Sequence, residues 1–417
     1  MVLFILLKSL FCDITLSMQP LALTRHRIVS IDILRGLVMI IMALDHVRDY
    51  FHNDAFAHDP LNPVTTTIPL YFTRWITHLC APIFLFLSGL SAYIQGITKP
   101  KAVLGNFLIK RGLWLILMEV TVITFGWTFN PFFNIIILQV IWATGISMIF
   151  LGIMVRYSYS LILILGLIIL CFHNILDYPE ADPNAKFGFF WELIHHANNG
   201  RQFTMYQFAP NHFIAIIYAF IPWTGIMFLG YATGKLYQPN VLPAERRKKL
   251  LFIGTSMILI FVVLRMINEY GDPIHWSAQT NSLSSFFSFM NVHKYPPSIM
   301  YACITLGPGI LFLAISEGWT GKLSSIISIY GSVPFFYYIA HIYLNHLFEV
   351  IGFFLSGYGA KDIITPNFPF FFRPPQFGFD LWVVYLVWSL LIVILYPLCK
   401  WYSQYKKTHS QWWLRYL

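Results

Sequence analysis

The chain has 417 residues, of which 57% are hydrophobic, 18% aromatic and only 11% charged, with a formal net charge of +9. A soluble domain carries about 25% charged residues because its whole surface faces water, so a chain with less than half that share faces lipid over most of its surface. The basic residues lie in short clusters between apolar runs rather than in one patch, which argues against nucleic acid and for a lipid bilayer as the partner.

Residues 1–18 hold a short apolar run broken by Lys8, with no small-residue cleavage site behind it, so residues 1–24 are expected to be a mobile or interfacial leader. Beyond it, stretches long and apolar enough to span occur at about 29–50, 69–95, 104–127, 132–154, 157–176, 211–235, 249–268, 296–317, 327–353 and 379–402. The expected fold is therefore an all-α polytopic membrane bundle of about 10 transmembrane helices. Charge supports the count. With both termini cytoplasmic, the inner segments hold the clusters Arg25/Arg27, Lys99/Lys101, Lys110/Arg111, Arg246–Lys249 and Lys400–Lys407. The outer segments hold Lys186, Arg201, Lys294, Lys361 and Arg373. Residues 25–353 read as a core of nine spans, and 354–417 as an external loop, a last span and a basic tail. The longer loops, 51–68, 177–210, 269–295 and 354–378, are external and have the size of a vestibule, a lid or plain connectors.

Ionisable side chains at membrane depth are expensive, so each is a functional candidate. The first span, SIDILRGLVMIIMALDHVRDYF, carries Asp32 and Arg35 near its inner end and Asp45, His46, Arg48 and Asp49 near its outer end. Asp32 and Arg35 can pair on one face, which favours a structural role for both. The second span opens with Arg74 and His78, one helical turn apart. One external loop joins the two spans, so Asp45, His46, Arg48, Arg74 and His78 are expected to cluster, supplying a base, an orienting carboxylate and an anion-binding guanidinium. In the ninth span, His341 and Asn345 share a face, with His346 one step around and Pro334 loosening the helix before them. Gly225, Gly230 and Gly234 in the sixth span read as close-packing positions. Glu119 and Arg265 are further intramembrane charges without an assigned partner. His195 and His196 lie in an external loop, and no HxxxH or HExxH spacing occurs on a helix, so no metal centre is expected. The five cysteines show no metal-ligand spacing and read as small buried hydrophobes.

Several segments are familiar in combination. SIDILRGLVMIIMALDHVRDYF and YFTRWITHLCAPIFLFLSGLSAYI, then LQVIWATGISMI, IPWTGIMFLGYATGKL, KYPPSIMYACITLGPGIL and YGSVPFFYYIAHIYLNH, resemble in order the heparan-alpha-glucosaminide N-acetyltransferase-like family of bacterial membrane proteins. The resemblance implies transfer of an acyl group, typically acetyl, from cytoplasmic acyl-CoA to an amine or hydroxyl of a sugar or glycan on the far side. It implies no tightly bound cofactor, acetyl-CoA being a co-substrate, and a bacterial inner (plasma) membrane location; a homodimer stays open. In the lysosomal relative a histidine precedes a Trp-Asn-Gly stretch after the first family span. The loop here, FHNDAFAHDPLNPVTTT, offers His58 with Asn62 and lacks the Trp and Gly. The expected base is His46, oriented by Asp45, then His78 and His58. Arg48, Arg74, His341, Asn345 and Lys294 are the expected substrate-binding residues. A solute or lipid-linked sugar carrier without acyl chemistry, and a purely structural membrane protein, are the alternatives.

Overall fold

The computed structural model describes residues 28–55, 58–182, 184–195, 204–365 and 369–416; the expected leader and His196 fall outside this set. The first predicted span forms α1, Val29–Phe51. The second forms α2, Ile68–Thr77, and α3, Cys80–Gly96, with a break at His78 and Leu79. Next come α4, Lys101–Met118, a π-helical turn Glu119–Ile123, and α5, Thr124–Thr128. The following helices are α6, Val140–Met154, α7, Tyr159–Phe172, and the short α8, Phe189–Ile194. The later ones are α9, Phe220–Thr233, α10, Pro243–Ile267, α11, Ser282–Met290, and α12, Ile299–Ile315. The last are α13, Lys322–Ser332, α14, Pro334–Leu355, and α15, Leu381–Thr408.

Each of the ten predicted stretches thus carries a helix. Five helical segments are long and apolar enough by themselves to cross a membrane: Ile68–Gly96, Tyr159–Glu180, Pro243–Ile267, Pro334–Leu355 and Leu381–Thr408. Helices α6 and α12 are apolar but shorter. Helix α1 has the length but carries five formal charges, three of them on the well-buried Asp32, Asp45 and Arg48. Its charge is turned into the protein, where partners exist.

Two predicted spans are helical only in part. Residues Ile135–Leu138 form a strand, β1, ahead of α6, and His212–Ile216 form β3 ahead of α9. With β2, Thr204–Ala209, they make a three-stranded sheet in the order β1-β3-β2. Strand β3 runs parallel to β1 and antiparallel to β2. The runs IIIL and HFIAI are β-branched and apolar, which helix and strand use equally well over four or five residues, so sequence pattern does not separate them. Pro334 does more than loosen the ninth span. It ends α13 and opens α14, where the first helical position needs no donor.

Helix α1 is central and packs against α2, α3, α12, α13, α14 and α15. Elsewhere the helices approach along glycines. Gly105 and Gly112 of α4 face Gly152 and Gly145 of α6, so each pair lies backbone against backbone. Gly230 of α9 lies on the Phe86 carbonyl of α3, and Gly234 on the Tyr93 side chain, which bears out the packing role read for them. Arg265 is fully buried in α10 and donates to four carbonyls, of Phe289, Ile274, Ser288 and Asn291, between 2.5 and 3.0 Å. It pins the 269–295 loop and does not meet Glu119, whose Oε1 accepts from the Gln139 amide at 2.7 Å.

A Cβ at Gly112 would strike the Gly145 carbonyl, whereas nothing lies within 4 Å of one at Gly188. Gly112→Leu should therefore lose at least about 1–3 kcal/mol by overpacking, read as a lowered melting temperature in detergent, while Gly188→Ala should melt with the parent protein.

Candidate active site

The C-terminal half of α1 holds two adjoining polar groups. In the first, Asp45 accepts from Arg74 at 2.5 Å and from Arg48 at 3.1 Å, and Arg48 also reaches Asp49 at 2.6 Å. Lys294 lies within electrostatic reach of Asp45, its Nζ 5.0 Å from the centre of the Tyr295 ring. Of the cluster expected from the first two spans, Asp45, Arg48 and Arg74 meet directly, with α2 delivering Arg74. Lys294, from the loop before α12, joins it.

In the second group, His46 Nδ1 lies 2.7 Å from His341 Nε2, and His341 Nδ1 lies 3.1 Å from the Tyr337 carbonyl oxygen. A carbonyl only accepts, so His341 Nδ1 carries a proton and its Nε2 is an acceptor. His46 Nδ1–H then donates to it, which leaves the lone pair of His46 Nε2 available. That nitrogen has no protein partner among the described residues, and His46 is the partly exposed member of a pair whose other ring is fully buried. The Trp127 ring meets His46 edge-on at 4.7 Å, and Tyr338 does so at 6.3 Å. Asn345 donates to the His46 carbonyl at 3.0 Å.

This differs from the sequence expectation in one respect. Asp45 does not orient His46. Neighbouring residues on a helix project about 100° apart, and here Asp45 turns to the arginines and His46 to α14. His341 and Asn345, expected to bind substrate, are instead both fully buried and both bonded to residue 46. His78 is buried at the α2–α3 break, edge-on to Tyr301 at 5.3 Å, and its Nδ1 has no hydrogen-bond partner. His58 stands outside the buried group, 60% exposed and bonded to Asp54 at 2.6 Å.

Inward from His46 a cavity of about 90 Å³ opens between α1, α3, α4, α6 and α14. Arg35, Ser88, Arg111 and Tyr338 are among its polar lining residues, with Met39, Met42 and Phe84 among the apolar ones. Arg35, Met39, Met42 and His46 recur at the spacing of one α-helical face. The stripe thus runs about 16 Å, at 1.5 Å per residue, from a guanidinium to an imidazole. Arg35 is held by Asp32 at 3.1 Å, Ser91 at 2.8 Å and the Gly331 carbonyl at 3.1 Å. The structural role expected for the Asp32–Arg35 pair is present, and the guanidinium lines the cavity as well.

Several residues went unnoticed in the sequence. Trp127 reaches His46 because the π-helical turn after α4 redirects α5, and Tyr50 hydroxyl holds it through the Trp127 carbonyl at 2.7 Å. Glu349, fully buried on α14, lies 3.3 Å from His346 and 3.9 Å from Arg373. Arg373 also donates to the His52 carbonyl at 2.9 Å and to that of Phe377, tying the 369–379 segment over the outer end of α1. Burial and the nearby Arg48 guanidinium hold His52 below the usual histidine range. The tandem tyrosines before His341 were the one sequence signal for Tyr338. For Trp127 and Arg373 there was none. A separate group, Asp177, Glu180 and His195, also converges, although helix spacing had suggested no metal centre.

Comparison with known families decides the class of the molecule. The model described as heparan-alpha-glucosaminide N-acetyltransferase, catalytic, matches residues 27–266. The chain belongs to this family. No curated protein matches it. The family is one of membrane acetyltransferases that use acetyl-CoA as co-substrate. Its matched region contains Arg35, Asp45, His46, Arg48, Arg74, His78, Arg111 and Trp127, whereas His341 and Tyr338 lie beyond its end.

The Asp45–Arg74 pair is largely buried, and removing one partner of such a pair strands the other charge. Arg74→Met should cost about 3 kcal/mol. The double variant Asp45→Asn/Arg74→Met should cost less than the sum of the single changes, as measured by a thermal-unfolding cycle in detergent.

Proposed function

We propose that this protein transfers an acyl group, acetyl above all, from acyl-CoA bound at the Arg35 end of the cavity to an amine or hydroxyl of a sugar approaching His46. The observation that carries this reading is the His46–His341–Tyr337 hydrogen-bond chain beside the head of a cavity with two guanidiniums at its other end. The proposed topology has ten spans and cytoplasmic termini in a bacterial inner membrane, so the Arg35 end opens inward and His46 lies toward the outside. The extended pantetheine arm of CoA has a length comparable to the Arg35–His46 stripe. Its phosphates fall near Arg35 and Arg111, as point charges for bidentate recognition, and its thioester near His46 and Tyr338. Among the basic inner residues Arg111 suits this role. It lines the cavity together with Arg35, whereas Arg246 and Lys249 do not.

In this reading His46 Nε2 accepts the proton of the acceptor amine or hydroxyl as that atom attacks the thioester carbonyl. The proton then passes to the departing CoA thiolate. His341 is a positioning residue: it fixes the His46 tautomer and stabilises the imidazolium through their shared hydrogen bond. Asp45, held by Arg48, Arg74 and Lys294, keeps a cationic, hydrogen-bonding wall beside the site that suits an oxyanion or a polar acceptor. His78 and His58 are further members of the proposal, His78 inside the wall and His58 at the mouth. Transfer through an acyl-imidazole on His46 uses the same geometry, with the acceptor attacking in a second step.

Release of CoA thiol by the purified protein, with acetyl-CoA and an α-linked glucosaminide as acceptor, tests this. His46→Ala should lower turnover by about 10²–10⁴-fold, and His341→Gln by roughly tenfold. Arg111→Ala should raise KM for acetyl-CoA about tenfold with kcat little changed. Turnover should fall at low pH along a single protonation, because only neutral His46 has a free lone pair. Wild-type turnover in folded His46→Ala protein would overturn the assignment, and loss in His58→Ala alone would move the base to the loop.

A further inference from the structure

At the end of α7 the chain continues through a 3-10 turn, His173–Leu176, and one further helical turn, Asp177–Glu180. His195 follows directly after α8. One carboxylate oxygen from each of Asp177 and Glu180 and one ring nitrogen of His195 lie within 4.8 Å of one another. We propose that these three side chains bind a divalent transition metal of the zinc class. None of them lines the cavity, so the proposal is independent of the acyl-transfer reading.

The donor set is the first argument. Two carboxylates and an imidazole form a borderline set that suits zinc, and three protein ligands leave the fourth tetrahedral position to water. The second argument is an electrostatic imbalance. Two carboxylates share a site with Glu180 1% exposed and His195 fully buried, and among the described residues no lysine or arginine pairs with either acid. Glu180 Oε2 and Asp177 Oδ1 are both buried and have no hydrogen-bond partner. An anionic oxygen out of water without a partner is costly, and a cation between the two relieves both at once.

The third argument is that the remaining atoms are already occupied as outer partners of a metal site require. Glu180 Oε1 accepts from Trp191 Nε1 at 2.5 Å, and Asp177 Oδ2 accepts from Asn174 Nδ2 at 2.7 Å. The far nitrogen of His195, Nε2, lies 3.0 Å from His173 Nδ1. Metal-bound histidines commonly have their second nitrogen hydrogen-bonded in this way, which fixes ring orientation. His195 Nδ1 sits 2.8 Å from Glu180 Oε1, so a ligand separation suited to a tetrahedral ion is reached by a small outward movement. Neutral His195 binds the metal through the Nδ1 lone pair as its Nε2–H tautomer, in which Nε2–H donates to His173 Nδ1. Such an ion reinforces the Trp191–Glu180 and His195–His173 contacts that join the turn beyond α7 to α8.

The test uses the full-length protein in detergent, freed of metal by chelation and titrated with zinc chloride, with magnesium chloride as the control. Calorimetry should show one saturable zinc site per chain, and zinc should raise the melting temperature by a few degrees where magnesium does not. Glu180→Gln and Asp177→Asn should each weaken that site at least tenfold and abolish the thermal shift. Asp177 is only partly buried, so its variant reports even where Glu180→Gln fails to fold. Absence of saturable zinc binding would overturn the proposal. So would zinc binding unchanged in the folded variants, which would place the ion on other histidines.

Discussion

In hydrocarbon an ionisable side chain must find its partner within the protein, and α1 carries six such groups in one helix: Asp32, Arg35, Asp45, His46, Arg48 and Asp49. Partners within α1, Asp32 for Arg35 and Arg48 for Asp45, satisfy them only in part. Arg35 is met by Ser91 of α3 and the Gly331 carbonyl of α13, Asp45 by Arg74 of α2, and His46 by His341 of α14. Satisfying α1 therefore recruits four other helices, two of them distant in sequence, and places α1 at the centre of the bundle. Glycine contacts set how close the outer helices come, but they do not say which helix faces which polar group.

The same pairing separates tasks along α1. Its inner turns contribute Arg35, Met39 and Met42 to a cavity wall. One further turn outward on the same face, the lining ends and His46 begins, backed by a fully buried imidazole and flanked by Trp127 and Tyr338. The adjacent face holds Asp45 among cations. An imidazole with one nitrogen open and the other held from behind suits the base of the proposed acyl transfer, and the family match is to membrane acetyltransferases. The outer end is closed by Arg373, which ties its loop to α1 and α14.

How much of this was legible follows from the range of each signal. The helices, the Asp32–Arg35 pair and the glycine seams were readable because they depend on local periodicity or on residues one turn apart. The meeting of Arg74 with Asp45 was readable because a single loop joins their helices. His341 was visible as an expensive intramembrane residue, but its contact with His46 was not: a helix face shows that a side chain points inward, not that it bonds to a residue 295 positions away. The strands at 135–138 and 212–216 were hidden because short apolar runs fit either geometry, and only their pairing with each other settles it. Asp177, Glu180 and His195 were passed over because spacing rules detect ligands on one helix, whereas these come from two segments.

By itself, the sequence determined the medium, the helical class and the inventory of costly side chains, since composition and 3.6-residue periodicity are properties of the chain read in one dimension. Tertiary structure alone decided which imidazole backs which, that Asp45 serves the arginines rather than His46, and which helices enclose the cavity. Those outcomes depend on the relative rotation and depth of packed helices, which are set by satisfying all buried polar groups together and are not encoded in any one segment.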